Sequence, residues 1–428
     1  MIGLLLFVFL LLFMMLGLPV AFSITLSNAV FLEITQLKPL VLVAQRIMIG
    51  MDNFPLLAIP MFTLAGNLME ESGLSRRLIH CVGTMFGRMP GSMGVVTIIG
   101  STIFAALTGS GPATVVAIGS LMIPAMIKSG YTPWAAAGLV ATAGALGPII
   151  PPSIAMIVYG ATMGVSIPQM FVGGVIPGLM LAGMLIILNA IQARRWGIKS
   201  IDTTKHTFTE YCEVLWRAAG ALALPVIIMG GIYGGIFTPT EAATVAVIYS
   251  LLLGFIYREF TVSKLKRAFV KTAETAGMVV FISSSANLFS WLLSSTRVPV
   301  IVAETMVPIL QTQVMFLIFL TLLLFFMGAV IDSVSSIIMI APVVVPIGLA
   351  LGVDPLHLAV VFCVNLVVGF VTPPFGSNLF VATSISGLSF GQVVKGALPS
   401  MLTAMLMVVI ITFVPGIVTW LPGLAFGR

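Results

Sequence analysis

The chain has 428 residues, of which 59% are hydrophobic and only 7% are charged, and its mean hydropathy is +1.20. Soluble domains carry about 25% charged residues, so this composition excludes an ordinary soluble protein and makes lipid the solvent for most of the chain. The net charge of +6 does not indicate a nucleic-acid partner, because the basic residues cluster between apolar segments, as they do on the cytoplasmic side of membrane proteins. Three scattered cysteines indicate neither a disulfide framework nor a metal site.

In chain order, apolar segments of about the 20 residues that a membrane helix requires alternate with polar stretches. The first segment has no basic leader and no cleavage motif, so we expect a retained membrane helix rather than a signal peptide. A partly polar stretch ends at Asn53, and the longest polar loop is 194–216. Spans are predicted near 1–17, 19–33, 54–71, 132–165, 170–193, 217–237, 240–257, 272–296, 356–385 and 392–423, and interrupted segments near 92–127 and 313–350.

The two interrupted segments are predicted to be re-entrant hairpins that leave the membrane on the side where they entered. Under this interpretation, the basic clusters fall on one face, which the positive-inside rule assigns to the cytoplasm. Both termini are then expected on the periplasmic side of a bacterial inner membrane. Only Lys38, Arg46, Arg297 and Arg428 fall on the other face. The cytoplasmic set is Arg76, Arg77, Arg88, Lys128, Arg194, Arg195, Lys199, Lys205, Arg217, Arg258, Lys264, Lys266, Arg267, Lys271 and Lys395.

The most informative feature is an internal repeat at an offset of 222 residues. A weaker match at an offset of 220 pairs Asn67 with Asn287. The predicted topology inverts the second copy, and inverted repeats with broken helices are typical of secondary transporters. The matched pairs are Pro124 with Pro346, Pro133 with Pro355, Pro151 with Pro373, Pro152 with Pro374, Pro177 with Pro399, Gly130 with Gly352, Gly147 with Gly369 and Gly174 with Gly396.

These patterns predict an all-α polytopic membrane protein, an inverted-repeat transporter with two re-entrant hairpins and two broken helices. Residues 1–53 are expected to form N-terminal scaffold helices, and 54–193 the first repeat, with a hairpin at about 92–127 and a broken helix at about 132–165. Residues 194–271 are expected to hold a cytoplasmic loop and connecting scaffold helices. Residues 272–428 form the second inverted repeat, with a hairpin at about 313–350 and a broken helix at about 356–385.

Chemistry is expected at four breaks in the helices, two at hairpin tips and two at Pro-Pro pairs. Proline removes a backbone donor and opens the helix, and the freed carbonyls, with nearby hydroxyls, suit a hard cation such as Na⁺. The half-helices beyond each break direct amide groups inward, which favours an anionic group. For each Pro-Pro pair, the alternative is a helix kink that binds no ligand. The breaks are 108–112, 147–153, 332–336 and 372–378.

Asp332 is the one carboxylate placed deep in the membrane, and its role stays open between a functional residue and a helix cap. Glu241 is explained by a capping box with Thr238. The repeat relation of Asn67 and Asn287 suggests that both support the ion sites, although polar residues there could simply pack helices.

Three other functions fit less well. An intramembrane serine enzyme would need a base near Ser110, but His80, His206 and His357 are expected at membrane edges or in loops. Inverted broken helices fit alternating access better than a channel. No G-x-x-x-x-G-K-[ST] motif is present for a nucleotide-driven pump, so we predict that the chain is not an enzyme and draws its energy from an ion gradient or another subunit.

Four motifs resemble the large membrane subunit of tripartite ATP-independent periplasmic (TRAP) transporters, in this order and over essentially the whole chain. They are FPLLAIP at 54–60, AGNLM at 65–69, GALGPIIPPS at 144–153 and TPTEAA at 238–243. The resemblance implies uptake of an organic acid with two or more Na⁺ ions by an elevator mechanism. It also implies two partners, a small four-helix membrane subunit, which we do not expect to be fused to this chain, and a periplasmic substrate-binding protein. The alternative is an ion-coupled carboxylate transporter that works without a binding protein.

The resemblance carries over site residues by motif. It places the substrate near Ser110, Asp332, Ser333 and Ser336. Sialic acid and C4-dicarboxylates are the candidate substrates, and the hydroxyl-rich tips favour a polyhydroxylated acid such as sialic acid. The implied Na⁺ ligands are Thr108, Gly109, Ser110, Gly147, Pro148, Pro151, Ser153, Asp332, Ser333, Thr372, Pro373 and Gly376, with Asn67 and Asn287 in support.

Overall fold

A computed structural model describes residues 3–52, 54–89, 91–198 and 207–427, except for the side chain of Leu4. This part of the chain forms 20 α-helices and no strand. Predictions that involve Asn53, Lys199, Lys205, His206 and Arg428 lie outside the described residues. The helices before the first hairpin are α1 (Leu4–Met15), α2 (Val20–Thr35), α3 (Val41–Met51), α4 (Ala58–Glu71) and α5 (Leu74–Phe86).

The next helices run from the first hairpin to the end of the described chain. The first hairpin and the helices after it are α6 (Ser92–Thr108), α7 (Gly111–Lys128), α8 (Pro133–Ala143), α9 (Ile154–Met163) and α10 (Ile167–Arg195). The helices that lead to the second hairpin are α11 (Phe208–Tyr233), α12 (Pro239–Ile256), α13 (Val262–Ser295) and α14 (Val298–Leu310). The second hairpin and the helices after it are α15 (Gln313–Val330), α16 (Ser333–Ala350), α17 (Pro355–Gly369), α18 (Ser377–Ser386), α19 (Phe390–Phe413) and α20 (Gly416–Phe426).

Eight of the described helices are long and apolar enough to cross a membrane, or nine if the bent pair of α3 and α4 counts as one span. This confirms the all-α polytopic fold. Three of the eight, α7, α15 and α16, are arms of the predicted hairpins, so length and composition alone do not separate a crossing helix from a re-entrant one. Re-entry and the inverted orientation therefore stay predictions.

Several boundaries differ from those predicted. The partly polar stretch before Asn53 contains helix α3, and 298–310 forms α14, which was missed because it is shorter than a span and contains two prolines. The loop after residue 194 is shorter than predicted, since Thr207 and Glu210 form a capping box that starts α11. Helix α13 begins at Val262, so the boundary at 272 falls inside it. The span predicted at 392–423 is two helices, with the break at Val414 and Pro415.

The repeat is visible in the helices themselves. Helices α7 and α16 have the same length, and their bounds differ by 222 at both ends. Gly130 and Gly352, which follow these helices, both have positive φ values, of 102° and 82°. Both Pro-Pro pairs contain a cis peptide bond. The sequence repeat is thus a repeat of local structure.

The core lies around the two helices that precede the breaks. Every residue of α17 from Leu356 to Gly369 is buried, as is every residue of α8 from Ala135 to Ala143. Helix α19 crosses α8 where Gly138 meets Gly396, and a Cβ atom on Gly396 would collide with the carbonyl group of Trp134. This close backbone approach joins the first repeat to the second.

Two ion pairs and a hydrogen bond join α4 to α13. Arg267 contacts Glu71 at 3.0 Å, and Lys271 lies 3.6 Å from Glu70. Asn67 Nδ2 donates to Thr272 Oγ1 at 2.9 Å. All three lie towards the end of this helix pair that carries the basic residues, so the polar contacts between these helices collect at the end predicted to be cytoplasmic.

Replacing Gly396 with Ala should destabilise the chain by about 1–3 kcal/mol, because the added methyl group has no room at the crossing of α8 and α19. Gly391→Ala is the matched control, since it lies on the same helix and a Cβ atom there would have no neighbouring atom within 4 Å. The melting temperature of the purified protein in detergent measures both. Equal melting temperatures for the two variants would contradict the tight crossing.

Candidate functional site

The first hairpin tip lies against the first Pro-Pro break. Gly109, with φ of 62°, ends α6, and a Cβ atom there would lie 2.6 Å from the carbonyl oxygen of Pro152. A Cβ atom on Gly147 would collide with the carbonyl group of Ser110. Glycine is needed at both positions because the two backbones touch. This contact brings together the residues that the sequence predicted for the first Na⁺ site.

Oxygen atoms are concentrated at this junction. Ser153 Oγ donates to the carbonyl of Pro148 at 2.6 Å, and Thr114 Oγ1 donates to the carbonyl of Ser110 at 2.8 Å. The hydroxyls of Thr108 and Thr114 lie 3.2 Å apart. Carbonyl and hydroxyl oxygens are the ligands that hard cations prefer. Pro148, Pro151 and Ser153 are buried, so a cation here would be shielded from its surroundings.

Two helices begin at the same junction. Ser110 is the N-cap of α7 and accepts from the amide of Ala113, and Ser153 is the N-cap of α9 and accepts from the amide of Met156. Helix N-termini carry partial positive charge and unpaired amide groups, which favour an anion. The junction thus combines oxygen atoms for a cation with helix ends that favour an anion.

The second hairpin meets its break differently. Gly369, the repeat mate of Gly147, lies against Gly328 in α15, and the amide of Gly376 donates to the carbonyl of Ala329 at 3.2 Å. The repeat mate of Ser110 is Asp332, four residues beyond Gly328, which is about one helical turn. The contact of the second hairpin with its break is therefore shifted by one turn along the hairpin.

Asp332 caps α16. Its carboxylate accepts from the amide of Ser335 at 3.0 Å and also from the Ser335 hydroxyl. The residue is exposed, whereas Ser333 and Ser336 are buried. The capping role left open by the sequence is thus observed, and the depth of Asp332 in the membrane stays a prediction.

The second break is more open than the first. The hydroxyl of Thr372 donates to the carbonyl of Val368 at 3.0 Å, Pro373 is partly buried, and Pro374 and Phe375 are exposed. This break contacts its hairpin at Gly328 and Ala329. The residues predicted for the second Na⁺ site are therefore less closely gathered than those of the first.

The two repeat-related asparagines lie in different surroundings. Asn67 lines a cavity of about 70 Å³ together with Thr108 and Ser110 of the first tip. Asn287 lines a larger cavity of about 270 Å³, to which the second tip contributes no lining residue among those described. Only Asn67 is placed beside the hairpin tip that it was expected to support.

One residue near the junction was missing from the predicted ligands. Asn378, at the start of α18, is fully buried and reaches from the second repeat into the first, where its Nδ2 donates to the carbonyl of Ala141 at 3.1 Å. Its Oδ1 has no hydrogen-bond partner, and it lies 2.8 Å from the position of a Cβ atom on Gly111. The sequence signal was weak because its repeat mate is Met156, which cannot make these contacts.

Comparison with known proteins gives the family. A family model described as the tripartite ATP-independent periplasmic transporter, DctM component, matches residues 7–417. The chain belongs to this family. The DctM component is part of a transporter, and the resemblance seen in the four sequence motifs is confirmed.

Relatives across several bacteria agree with this assignment. The chain is 41% identical to a C4-dicarboxylate TRAP transporter large permease protein of Vibrio cholerae, over 99% of this chain and 98% of the relative. It is 33% identical to the 2,3-diketo-L-gulonate TRAP transporter large permease protein of Escherichia coli, over 94% of each. It is 38% identical, over 96% of its length, to an isethionate TRAP transporter permease protein, DctMQ, of Oleidesulfovibrio alaskensis, and it spans 65% of that protein's length.

A solved structure shares the fold of this DctM-family chain at low sequence identity. The YdaH transporter of Alcanivorax borkumensis, the crystal structure of which was described as having an unusual topology, superposes with a TM-score of 0.65. The match covers 88% of this chain and 89% of that chain at 14% identity. The likeness shows that the two chains share the same arrangement of helices.

Gly147→Ala should raise the Na⁺ concentration for half-maximal uptake by about tenfold, which corresponds to about 1.4 kcal/mol, because the methyl group would push the first tip off its break. Gly183→Ala in α10 is the control, since a Cβ atom at Gly183 would have no neighbouring atom within 4 Å. Uptake into proteoliposomes is measured over a series of Na⁺ concentrations. A Na⁺ dependence that matches the control would remove the first junction from the ion site.

Replacing Asp332 separates its two roles, because Asn retains the helix cap while it loses the charge. If the carboxylate acts in transport, Asp332→Asn and Asp332→Ala should both lower uptake by about tenfold or more, and Asp332→Asn should leave the melting temperature unchanged. Both variants are compared in uptake and in thermal unfolding. Full uptake by Asp332→Asn would limit this residue to capping α16.

Proposed function

We propose that this chain is the large permease subunit of a Na⁺-coupled uptake system for a small organic anion, and that it works by an elevator mechanism. The contact between the first hairpin tip and the first Pro-Pro break carries the proposal. It gathers the carbonyls of Ser110, Pro148 and Pro152 with the hydroxyls of Thr108 and Thr114, in a buried position between two helix N-termini.

Na⁺ is the cation that these ligands favour. The donor set is neutral oxygen only, and in the described residues no group of three or more His, Cys, Asp or Glu side chains is positioned for a transition metal. The internal repeat supports a second ion at the junction of α15 with 370–376, where the carbonyls of Phe370 and Thr372 face Gly376. Two or more ions per cycle are therefore proposed.

The anionic character of the solute is supported by two independent observations. The N-termini of α7 and α9 converge on the first junction. The relatives are named for C4-dicarboxylates, isethionate and 2,3-diketo-L-gulonate, all of which carry a carboxylate or a sulfonate group. These names favour a C4-dicarboxylate or a related short acid ahead of sialic acid as the solute of this chain.

The elevator mechanism is supported by the way in which hairpins and scaffold meet. Gly66 of α4 lies against the first tip, and a Cβ atom there would be 3.1 Å from Thr108 Cγ2. Because glycine has no side chain at this contact, the hairpins and broken helices could slide past α4 and α13 as one unit. A small four-helix membrane subunit would enlarge the scaffold, and a periplasmic binding protein would deliver the solute. The distribution of the basic residues supports termini on the periplasmic side of a bacterial inner membrane.

The test is uptake into proteoliposomes that contain this chain and its small subunit. Labelled succinate, isethionate and sialic acid are supplied, each with its binding protein, with and without an inward Na⁺ gradient. Uptake of one acid that requires both the gradient and the binding protein is expected. Uptake that proceeds equally without Na⁺ would contradict the ion coupling, and uptake without the binding protein would favour an ion-coupled carboxylate transporter that works alone.

A further inference from the structure

The cavity of about 270 Å³ lies between α3, α9, α13 and α16, and it has features that the first junction does not explain. Its polar lining comes from Arg46, Thr162, Ser283, Asn287, Ser290 and Ser294, and Ile338 of α16 lines it on the side of the second hairpin. We propose that this cavity is a binding site for the anionic group of the transported solute, with Arg46 as its charged ligand. The inference rests on the proposed function and adds a site to it.

The α13 wall of this cavity is a repeat of the wall that faces the first tip. The repeated side chains are spaced at i, i+3, i+4 and i+7, so each set lies on one face of its helix. Both sets line a cavity between the scaffold and the hairpin units. At an offset of 220, the pairs are Thr63 with Ser283, Gly66 with Ala286, Asn67 with Asn287 and Glu70 with Ser290.

The two walls are occupied differently. The first tip covers the α4 wall through Thr108 and Ser110, which leaves a cavity of only about 70 Å³. The second tip does not cover the α13 wall, and the cavity there is about 270 Å³. The α13 wall therefore has room for a small solute at the place where the repeat predicts that a hairpin tip would otherwise lie.

Charge also differs between the two walls. The α4 wall contains Glu70, which is paired with Lys271. The α13 wall has Ser290 at that position, and Arg46 of α3 supplies a positive charge. Among the residues that the structure describes, no carboxylate forms an ion pair with Arg46. Its guanidinium stacks on the ring of Trp291, with Cζ 4.7 Å from the ring centroid. A partly buried cation without a counter-ion favours the binding of an anion.

Two neighbouring side chains have unused hydrogen-bonding capacity. The hydroxyl of Ser283 is buried without a hydrogen-bond partner, and the Oδ1 atom of Asn287 is also unpaired. The Ser283 hydroxyl can donate to a carboxylate or sulfonate oxygen, and so can the Nδ2 group of Asn287, whereas the unpaired Oδ1 atom can only accept. Together with the guanidinium fork, they would hold such a group by charge-assisted hydrogen bonds. On the predicted topology, this cavity lies on the periplasmic side, where the solute arrives.

The contact with Trp291 could instead be the whole role of Arg46, because cation–π stacking would anchor α3 to α13 without any ligand. The two roles predict different behaviour. An anchor affects thermal stability and leaves the affinity for the solute unchanged, whereas an anion ligand changes the KM and the response of stability to added anion.

The experiment compares Arg46→Gln and Arg46→Lys with the wild type and with Lys38→Gln, which removes an exposed cation from the same predicted face. The purified chain with its small subunit is assayed for uptake of succinate, isethionate and sialic acid. In parallel, the melting temperature is measured with each anion added. Arg46→Gln should raise the KM of the transported anion by about tenfold or more, as expected when a charged hydrogen-bond partner is lost. Arg46→Lys should have a smaller effect, and Lys38→Gln none.

The outcomes separate this inference from the proposed function. A KM for Arg46→Gln equal to that of the wild type would overturn the site and reduce Arg46 to an anchor. If the wild type transports none of the three acids, the uptake proposal fails, and the thermal measurement decides on the site alone. An anion-induced rise in melting temperature that is lost in Arg46→Gln would support the site, and no rise in the wild type would overturn it. Arg46→Lys serves the same comparison if Arg46→Gln does not fold.

Discussion

The backbone polar groups of interrupted helices must be satisfied inside the membrane, and the rest of this structure depends on how that is done. In lipid, an unpaired amide or carbonyl costs several kcal/mol, so a break persists only where protein covers it or where it lines a site. Here each Pro-Pro break packs against its own hairpin. Gly109 at the first tip lies against the carbonyl of Pro152, and the amide of Gly376 bonds to the carbonyl of Ala329 in α15, short of the second tip. Each break is thus covered by the hairpin of its own repeat.

This mutual covering also explains why glycine recurs at matched places. Gly147 and Gly369 both stand where a helix end touches a hairpin, and Gly396 stands where α19 crosses α8. At each of these positions a side chain would separate two backbones that satisfy or shield one another. The carbonyls left at the junctions face inward. The arrangement that shields these backbone groups from lipid therefore also supplies oxygen ligands for a cation.

Much of the fold follows from the sequence because proline and glycine mark the breaks at a fixed offset. The bounds of α7 and α16 reproduce that offset of 222. The residues predicted for the first site, which lie in 108–110 and 147–153, are found together. The repeat pattern could not show the shift of one turn between the hairpins, because register depends on packing between elements rather than on local sequence. The exposure of Asp332 could not be foreseen for the same reason.

Other features left weaker signals. Helix α14 is short and contains two prolines, so it does not have the length of a span. Asn378 has no polar mate in the first repeat, and its contact with Ala141 arises only when the two repeats pack together. The division of the chain into scaffold and moving units stays a prediction, since it concerns motion that a single arrangement of helices does not display.

The shift of one turn between the two hairpins means that the two junctions are unequally closed. An ion at the first junction would be sealed beneath buried residues, whereas one at the second would lie close to Pro374 and Phe375, which are exposed. If both junctions bind ions as proposed, the ion at the less covered second junction should exchange before the ion at the first. The duplicated unit would in this way provide two ion sites with different rates of ion exchange.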